Sequence, residues 1–177
     1  MNPAAKHIVK SRKGYITFRD SLGNNLKVLF VGLNPSPVSL EKGHYLQGVL
    51  GKRFWGRLRK YGIIDEDTKG REDDFLKTYH FGITDLVKRP SRRFKEISSE
   101  EIARGRKKLT EKVKKYRPRI ICFVYKTAAD IYFQEKLRSP GLLTRKIAGS
   151  RVFVMPSVYA DKATISRYMH AFKKLLG

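Results

Sequence analysis

Three apolar runs interrupt an otherwise polar chain: Val28 to Leu33, Ile120 to Tyr125 and Val152 to Met155. Each is short, rich in Val, Ile or Phe, and bounded by polar or turn residues, which is the signature of a strand. Hydrophobicity that is continuous rather than alternating needs cover on both faces, so these runs predict the centre of a parallel sheet flanked by helices. Tyr79 to Thr84 reads as a weaker fourth strand. The clearest helix starts at Ser98, whose hydroxyl can cap the first turn while Glu101, three residues on, returns the bond. Ile102, Leu109, Val113 and Tyr116 then share one stripe, and Pro118 marks the end. Further helices are predicted at Lys52 to Tyr61, Thr127 to Lys136 and Lys162 to Leu176, with Asp65 to Asp74 as an exposed loop or short surface helix. The expected fold is α/β, a three-layer α/β/α sandwich with a mainly parallel central sheet of about four strands. Residues 1–177 read as one domain, with about the first 20 residues as an extension.

Charge narrows the partners. Thirty-nine Lys and Arg against 16 Asp and Glu give a formal +23, a field that attracts polyanions or anionic membranes. Nine basic residues and one acid fall between Arg104 and Arg119, forming a cationic face on the capped helix. A single cysteine, Cys122, can form neither an intramolecular disulfide nor a four-cysteine iron-sulfur site. No ligand cluster for a metal is visible in the linear sequence, and no apolar segment suggests export or membrane spanning, so an intracellular location is expected.

In open parallel sheets, ligands bind beyond the carboxyl ends of the strands, so the residues after each run matter most. These are Gly32-Leu33-Asn34-Pro35-Ser36-Pro37, then Tyr125-Lys126, then Met155-Pro156-Ser157-Val158-Tyr159-Ala160-Asp161. Asn-Pro-Ser-Pro alone is only a stiff turn. Taken in order with Lys52-Arg53-Phe54-Trp55, Gly82-Ile83-Thr84-Asp85-Leu86-Val87-Lys88-Arg89-Pro90-Ser91, the capped basic helix and Met155-Pro156-Ser157, however, the chain resembles the mismatch-specific uracil/thymine DNA glycosylases over Leu26 to Arg167.

That resemblance implies a uracil-DNA-glycosylase-like sandwich that flips a mispaired or damaged base from duplex DNA and hydrolyses its bond to the sugar, initiating base excision repair. It implies a monomer without metal or organic cofactor, insensitive to EDTA, that attacks with water rather than a lysine amine. Asn34 would position the water; Leu33, Phe54, Ser36 and Tyr125 would bind the base, with Phe54 stacking on it. Asp85 and Ser91 would support the water or the local fold, although a carboxylate placed like Asp85 more often makes turn hydrogen bonds. Arg53, Lys126, Ser157, Val158, Tyr159, Ala160, Asp161 and Lys162 would contact DNA, with main-chain amides from Ser157 onward holding a phosphate. Three positions depart from the family pattern: Ser36 and Tyr125 stand where Gly is usual, and Asp161 where an intercalating Arg is usual, so Tyr159 or Lys162 would take the wedge role. The remaining alternative is a noncatalytic nucleic-acid-binding module on the same fold. Zinc deamination lacks ligands and nucleotide hydrolysis lacks its glycine loop.

Overall fold

The computed structural model describes residues 7–177. The chain opens with an antiparallel ribbon, β1 (Ile8–Lys10) and β2 (Ile16–Phe18). The central sheet comprises β3 (Val28–Gly32), β4 (Phe81–Asp85), β5 (Ile120–Phe123), β6 (Gly141–Ile147) and β7 (Ser150–Val154) in the order β4-β3-β5-β7-β6. All neighbours are parallel except β6, which runs antiparallel to β7 at one edge. The expected architecture is present, with five strands rather than about four.

Successive side chains of a strand point to opposite faces, and here both faces are covered. Val28 and Phe30 of β3, with Cys122 and Phe153, pack on Phe54, Trp55 and Leu58 of α2 (Val49–Lys60) and on Met169 and Phe172 of the C-terminal helix (Lys162–Leu176). Leu29, Val31, Ile121, Phe123 and Val152 pack on the opposite side against Leu109 and Val113 of the capped helix (Ser99–Tyr116) and Ala128 and Ala129 of the helix at Lys126–Phe133. With α1 (Pro37–Lys42) and α3 (Glu72–Phe75) counted in chain order, these last three are α4 (Ser99–Tyr116), α5 (Lys126–Phe133) and α6 (Lys162–Leu176).

The capping box at α4 is complete: the Glu101 amide donates to Ser98 Oγ (3.3 Å) and the Ser98 amide to Glu101 Oε2 (3.0 Å). Gly105 lets α4 approach the end of β4, since a Cβ there would lie 2.2 Å from the Leu86 carbonyl oxygen. From that contact α4 runs back toward the start of β5, carrying most of its basic run away from the carboxyl edge of the sheet.

Two expectations need correction. Asp65 to Asp74 folds as a 3-10 turn (Glu66–Thr68) followed by α3, and Glu72 and Asp73 are buried rather than exposed. Glu72 pairs with Arg59 and accepts from Gln47 Nε2 at 2.8 Å, which satisfies the charge that burial would otherwise penalise. The N-terminal ribbon, read as an extension, adds Phe18 to the core. Residues 1–6 lie outside the described residues. Among the described residues no helix is long and apolar enough to cross a membrane.

Candidate active site

β3, β4, β5 and β7 end on one edge of the sheet, and a cavity of about 560 Å3 opens beyond them. That size is typical of small-molecule sites, roughly 300–1,000 Å3. Leu33, Asn34 and Ser36 line it from β3, Asp85 from β4, Tyr125 and Lys126 from β5, and Ser157, Val158 and Tyr159 from β7. Phe18 and Tyr45 supply the remaining aromatic wall, stacked with centroids 4.4 Å apart. The expected convergence of strand ends is therefore present.

Asn34 is held by its amino group. Nδ2 donates to Ser91 Oγ (3.0 Å) and to the Pro35 carbonyl (3.2 Å), with the Arg89 and Ser91 carbonyls at the outer limit of bonding distance. An amide nitrogen has two protons, so these partners account for both, and Oδ1 is left as the acceptor for a water or ligand hydroxyl. Ser91 Oγ in turn donates to the Arg93 carbonyl (3.0 Å). The loop bearing these groups is clamped to α4 by Arg89, whose guanidinium donates to both Glu101 carboxylate oxygens (2.6 and 2.9 Å). That contact, reinforced by the capping hydrogen bond from Ser98, holds the Glu101 carboxyl down at about 2. Ser91→Ala is expected to slow any reaction that depends on the Asn34 amide roughly fivefold, the effect of losing one hydrogen bond of about 1 kcal/mol. Single-turnover rates check this; Ser91→Thr should restore most of the loss because it keeps the hydroxyl.

Asp85 is the chemical centre of the cavity. It is fully buried, and its Oδ2 has no hydrogen-bond partner among the described residues, so the turn-bonding role anticipated for it does not occur. Gly32 pairs with Asp85 across β3 and β4, and a Cβ at position 32 would come within 2.3 Å of Oδ1; only glycine leaves room for this carboxyl. Burial pushes its pKa up to about 7, opposed by Lys88, raised further by Asp20, and opposed again by Lys112. Both lysines are drawn toward Asp20 instead: Lys88 forms an ion pair with it, and Lys112 Nζ lies 2.6 Å from Asp20 Oδ2. Lys88 also donates to the Tyr45 hydroxyl (3.0 Å), tying this charge network to the cavity wall. A carboxyl poised near neutrality without a partner of its own is suited to accepting a proton. Tyr125, on the same cavity, is kept protonated by burial and then by the Asp85 charge, which leaves its hydroxyl a donor.

Several anticipated residues have other positions or duties. Phe54 does not line the cavity: it is 2 % exposed, edge-on to Phe30 (5.3 Å) and against Trp55 (4.8 Å). Helical spacing explains this, because Phe54, Trp55 and Leu58 share the inward face of α2 while Val49, Leu50 and Arg53 face outward. The cavity's buried and half-buried aromatic surfaces are Phe18, Tyr45 and Tyr125 instead, with Phe94 and Tyr159 exposed at its rim. Ser36 caps α1, accepting from the Ser39 amide at 3.2 Å, so its hydroxyl is directed into the helix start. Lys126 lines the cavity but is paired with Asp130 (2.8 Å) one turn along α5. Asp161 is the N-cap of α6, accepting from the Thr164 amide at 2.8 Å, and Lys162 begins that helix. The turn after β7 is internally bonded: the Tyr159 amide donates to Ser157 Oγ (3.2 Å) and the Ala160 amide to the Ser157 carbonyl (3.1 Å). Those two amides are thus engaged within the turn. Arg57, which sequence reasoning missed, donates to the Pro156 and Ser157 carbonyls at 2.9 Å each and fixes this turn to α2.

The rim is apolar and basic together. Val49, Leu50, Phe94 and Tyr159 line the mouth and are exposed, Tyr159 at 74 %. Arg92 and Arg93 stand beside them, and the Arg53 guanidinium lies 5.1 Å from the Tyr159 ring centroid. Outside the cavity lining the structure also gathers His7, His44, Asp73 and Asp74, a set that could hold a metal. The absence of a ligand cluster in the linear sequence is thereby corrected: its members come from positions 7, 44, 73 and 74 and meet only in the fold.

A doubly covered parallel sheet with a fixed amide and a buried carboxyl at its carboxyl edge, and arginines at the cavity mouth, is an α/β fold with a polar ligand site. The sequence pattern of the family described as the uracil DNA glycosylase superfamily matches residues 20–170. This span contains every cavity residue named above except Phe18, and the chain belongs to that superfamily. Its members are DNA glycosylases, hydrolases that act on DNA with damaged bases and serve base excision repair.

Proposed function

We propose that this chain excises uracil or thymine mispaired with guanine from duplex DNA, as a monofunctional glycosylase that uses water. The observation that carries the reading is the pairing, in one cavity, of a fixed amide oxygen on Asn34 with an unpartnered, buried Asp85 carboxylate. Cleavage of the base–sugar bond develops oxocarbenium character, so the site must supply water, negative charge and a protonated environment for the departing base.

Asn34 Oδ1 accepts a hydrogen bond from the attacking water and holds it toward the anomeric carbon. Asp85, ionised, stabilises the positive charge on the sugar and takes the water's proton as the new carbon–oxygen bond forms. The electron pair of the breaking carbon–nitrogen bond leaves with the base, which the Tyr125 hydroxyl can stabilise by donating to a carbonyl oxygen. Phe18 and Tyr45 offer flat faces for the extruded ring, and stacking of this kind contributes about 1–3 kcal/mol per base. Flipping such a base is cheapest where its pairing is already faulty, which supports a preference for mismatches.

At the mouth, Tyr159 fills the gap left by the flipped nucleotide, since Asp161 is engaged as a helix cap and Tyr159 is the exposed ring beside Arg53. Tyr159→Ala is expected to weaken binding to a G·U duplex roughly tenfold without changing the slope of affinity against salt, because it removes stacking but no phosphate contact. Replacing both Arg92 and Arg93 by Ala should instead flatten that slope by about 2. Fluorescence anisotropy across a salt series checks both.

Single-turnover release of free base from duplexes carrying U, T or hypoxanthine opposite G, and U opposite A, tests the proposal. Release that is fastest for U or T opposite G supports it. Tight binding without release at high enzyme concentration would reduce the chain to a binding module, and equal rates opposite G and A would remove the mismatch preference.

A further inference from the structure

We propose that His7, His44, Asp73 and Asp74 form a structural site for one divalent transition-metal ion, best suited to zinc. The four come from three separate segments: the residue before β1, the loop after α1, and α3. One ligand atom from each lies within 4.8 Å of the others. His44 Nδ1 is 2.8 Å from Asp73 Oδ1, and His7 Nε2 is 2.5 Å from Asp74 Oδ1 and 3.8 Å from Asp73 Oδ2. Tetrahedral ligands at zinc bond lengths of about 2.0–2.2 Å stand roughly 3.3–3.5 Å apart. The observed separations bracket that spacing, so movements of less than about an ångström per side chain would bring the donors onto an ion.

Charge argues in the same direction. The Asp73 side chain is fully buried, and the other three are at most 16 % exposed. Two carboxylates and two imidazoles, all groups that ligate metal ions, are gathered where water is largely excluded, and a divalent ion there would offset carboxylate charge. Two imidazole nitrogens select zinc and its transition-metal neighbours over magnesium or calcium, which take oxygen ligands.

The site's consequence is mechanical. Asp73 Oδ2 also accepts the Tyr45 amide at 2.9 Å, so an ion bound here would fix the Tyr45 wall of the cavity, the N-terminal ribbon and α3 to one another. Its role is independent of which base is excised.

The test uses the full chain, stripped with chelator and titrated with zinc alone by calorimetry at pH 7.5. Cobalt(II) absorption serves as a second readout of coordination geometry. One tight equivalent per chain is expected, with a rise in thermal midpoint on loading. His44→Ala should lose that equivalent, weakening it roughly a hundredfold or more, while His80→Ala and His170→Ala should leave it unchanged. If His44→Ala does not fold, His7→Ala, at the more accessible end of the cluster, is expected to weaken binding at least about tenfold. Absence of a tight equivalent in the wild-type chain, or binding undiminished in whichever of these two variants folds, would overturn the proposal.

Discussion

Replacing Asn34 by alanine is expected to slow base release by about a hundredfold or more, the loss seen when one preorganised polar group is removed from a reacting centre. Binding of the same duplex should change little, because Asn34 lies within the cavity and the phosphate-facing groups are at the rim. The split follows from geometry. Nδ2 is secured by Ser91 and Pro35, so the amide cannot turn over, and Oδ1 offers an acceptor whose direction is set before any substrate arrives. Such a group contributes to the transition state without reorganising, and its removal therefore falls on the chemical step. Single-turnover kinetics with enzyme in excess, beside anisotropy on an uncleavable duplex, separate rate from affinity.

Asp85→Asn is expected to act in two opposite directions. Around pH 8 it should lower the rate by roughly 10²–10⁴-fold, the usual worth of a general base. Toward pH 5.5 the gap should shrink by about tenfold per pH unit, because the wild-type carboxyl, with its pKa near 7, is itself becoming protonated there. Stability should move the other way. A folded-state pKa of about 7 against an ordinary 3.8 means that the native chain holds a proton the unfolded chain has released between those values. Stability therefore falls as pH rises from about 4 to 7 and stays low above, by up to about 4 kcal/mol. The asparagine variant lacks that ionisation, so it should be more stable than wild type at pH 8 by about 1–3 kcal/mol, the remainder being offset by its own unmade hydrogen bonds. At pH 5 the two should nearly coincide. Urea unfolding at both pH values checks the sign, and a more stable but inactive variant is what a strained catalytic group predicts.

How much of this was legible in the chain depended on which physical signal each element carries. The runs at Val28, Ile120 and Val152 announced themselves because strands buried on both faces leave no polar position. β6 did not, because Thr144, Arg145 and Lys146 lie on an exposed edge with an irregular register, a composition that protects an edge strand while erasing its apolar pattern. The ribbon β1–β2 has strands of three residues, too short to show a period. Asn34, Ser91 and Asp85 could be placed at strand ends by order alone. That Asp85 has no partner was invisible, since it depends on Gly32 across the sheet and on burial by distant residues. Phe54 is the converse case: motif order locates the helix, while the helical period turns this aromatic into the core. Tyr45 and Phe18, the aromatics that do face the cavity, lie on a loop and an N-terminal strand without any repeat to point at them. The histidine–aspartate cluster spans 67 residues of sequence between its ends, and only the fold brings it together.

On the proposed function an extruded nucleotide enters this cavity and meets Asn34 and Asp85. A crystal structure of the chain with a G·U duplex whose uridine carries a 2′-fluoro group that blocks cleavage decides this. The uracil ring is expected against Phe18 or Tyr45, with a water between Asn34 Oδ1, Asp85 and the anomeric carbon, and Tyr159 in the vacated stack. A uridine still paired within the duplex, or a flipped base lodged elsewhere with Asp85 facing no sugar, would contradict it.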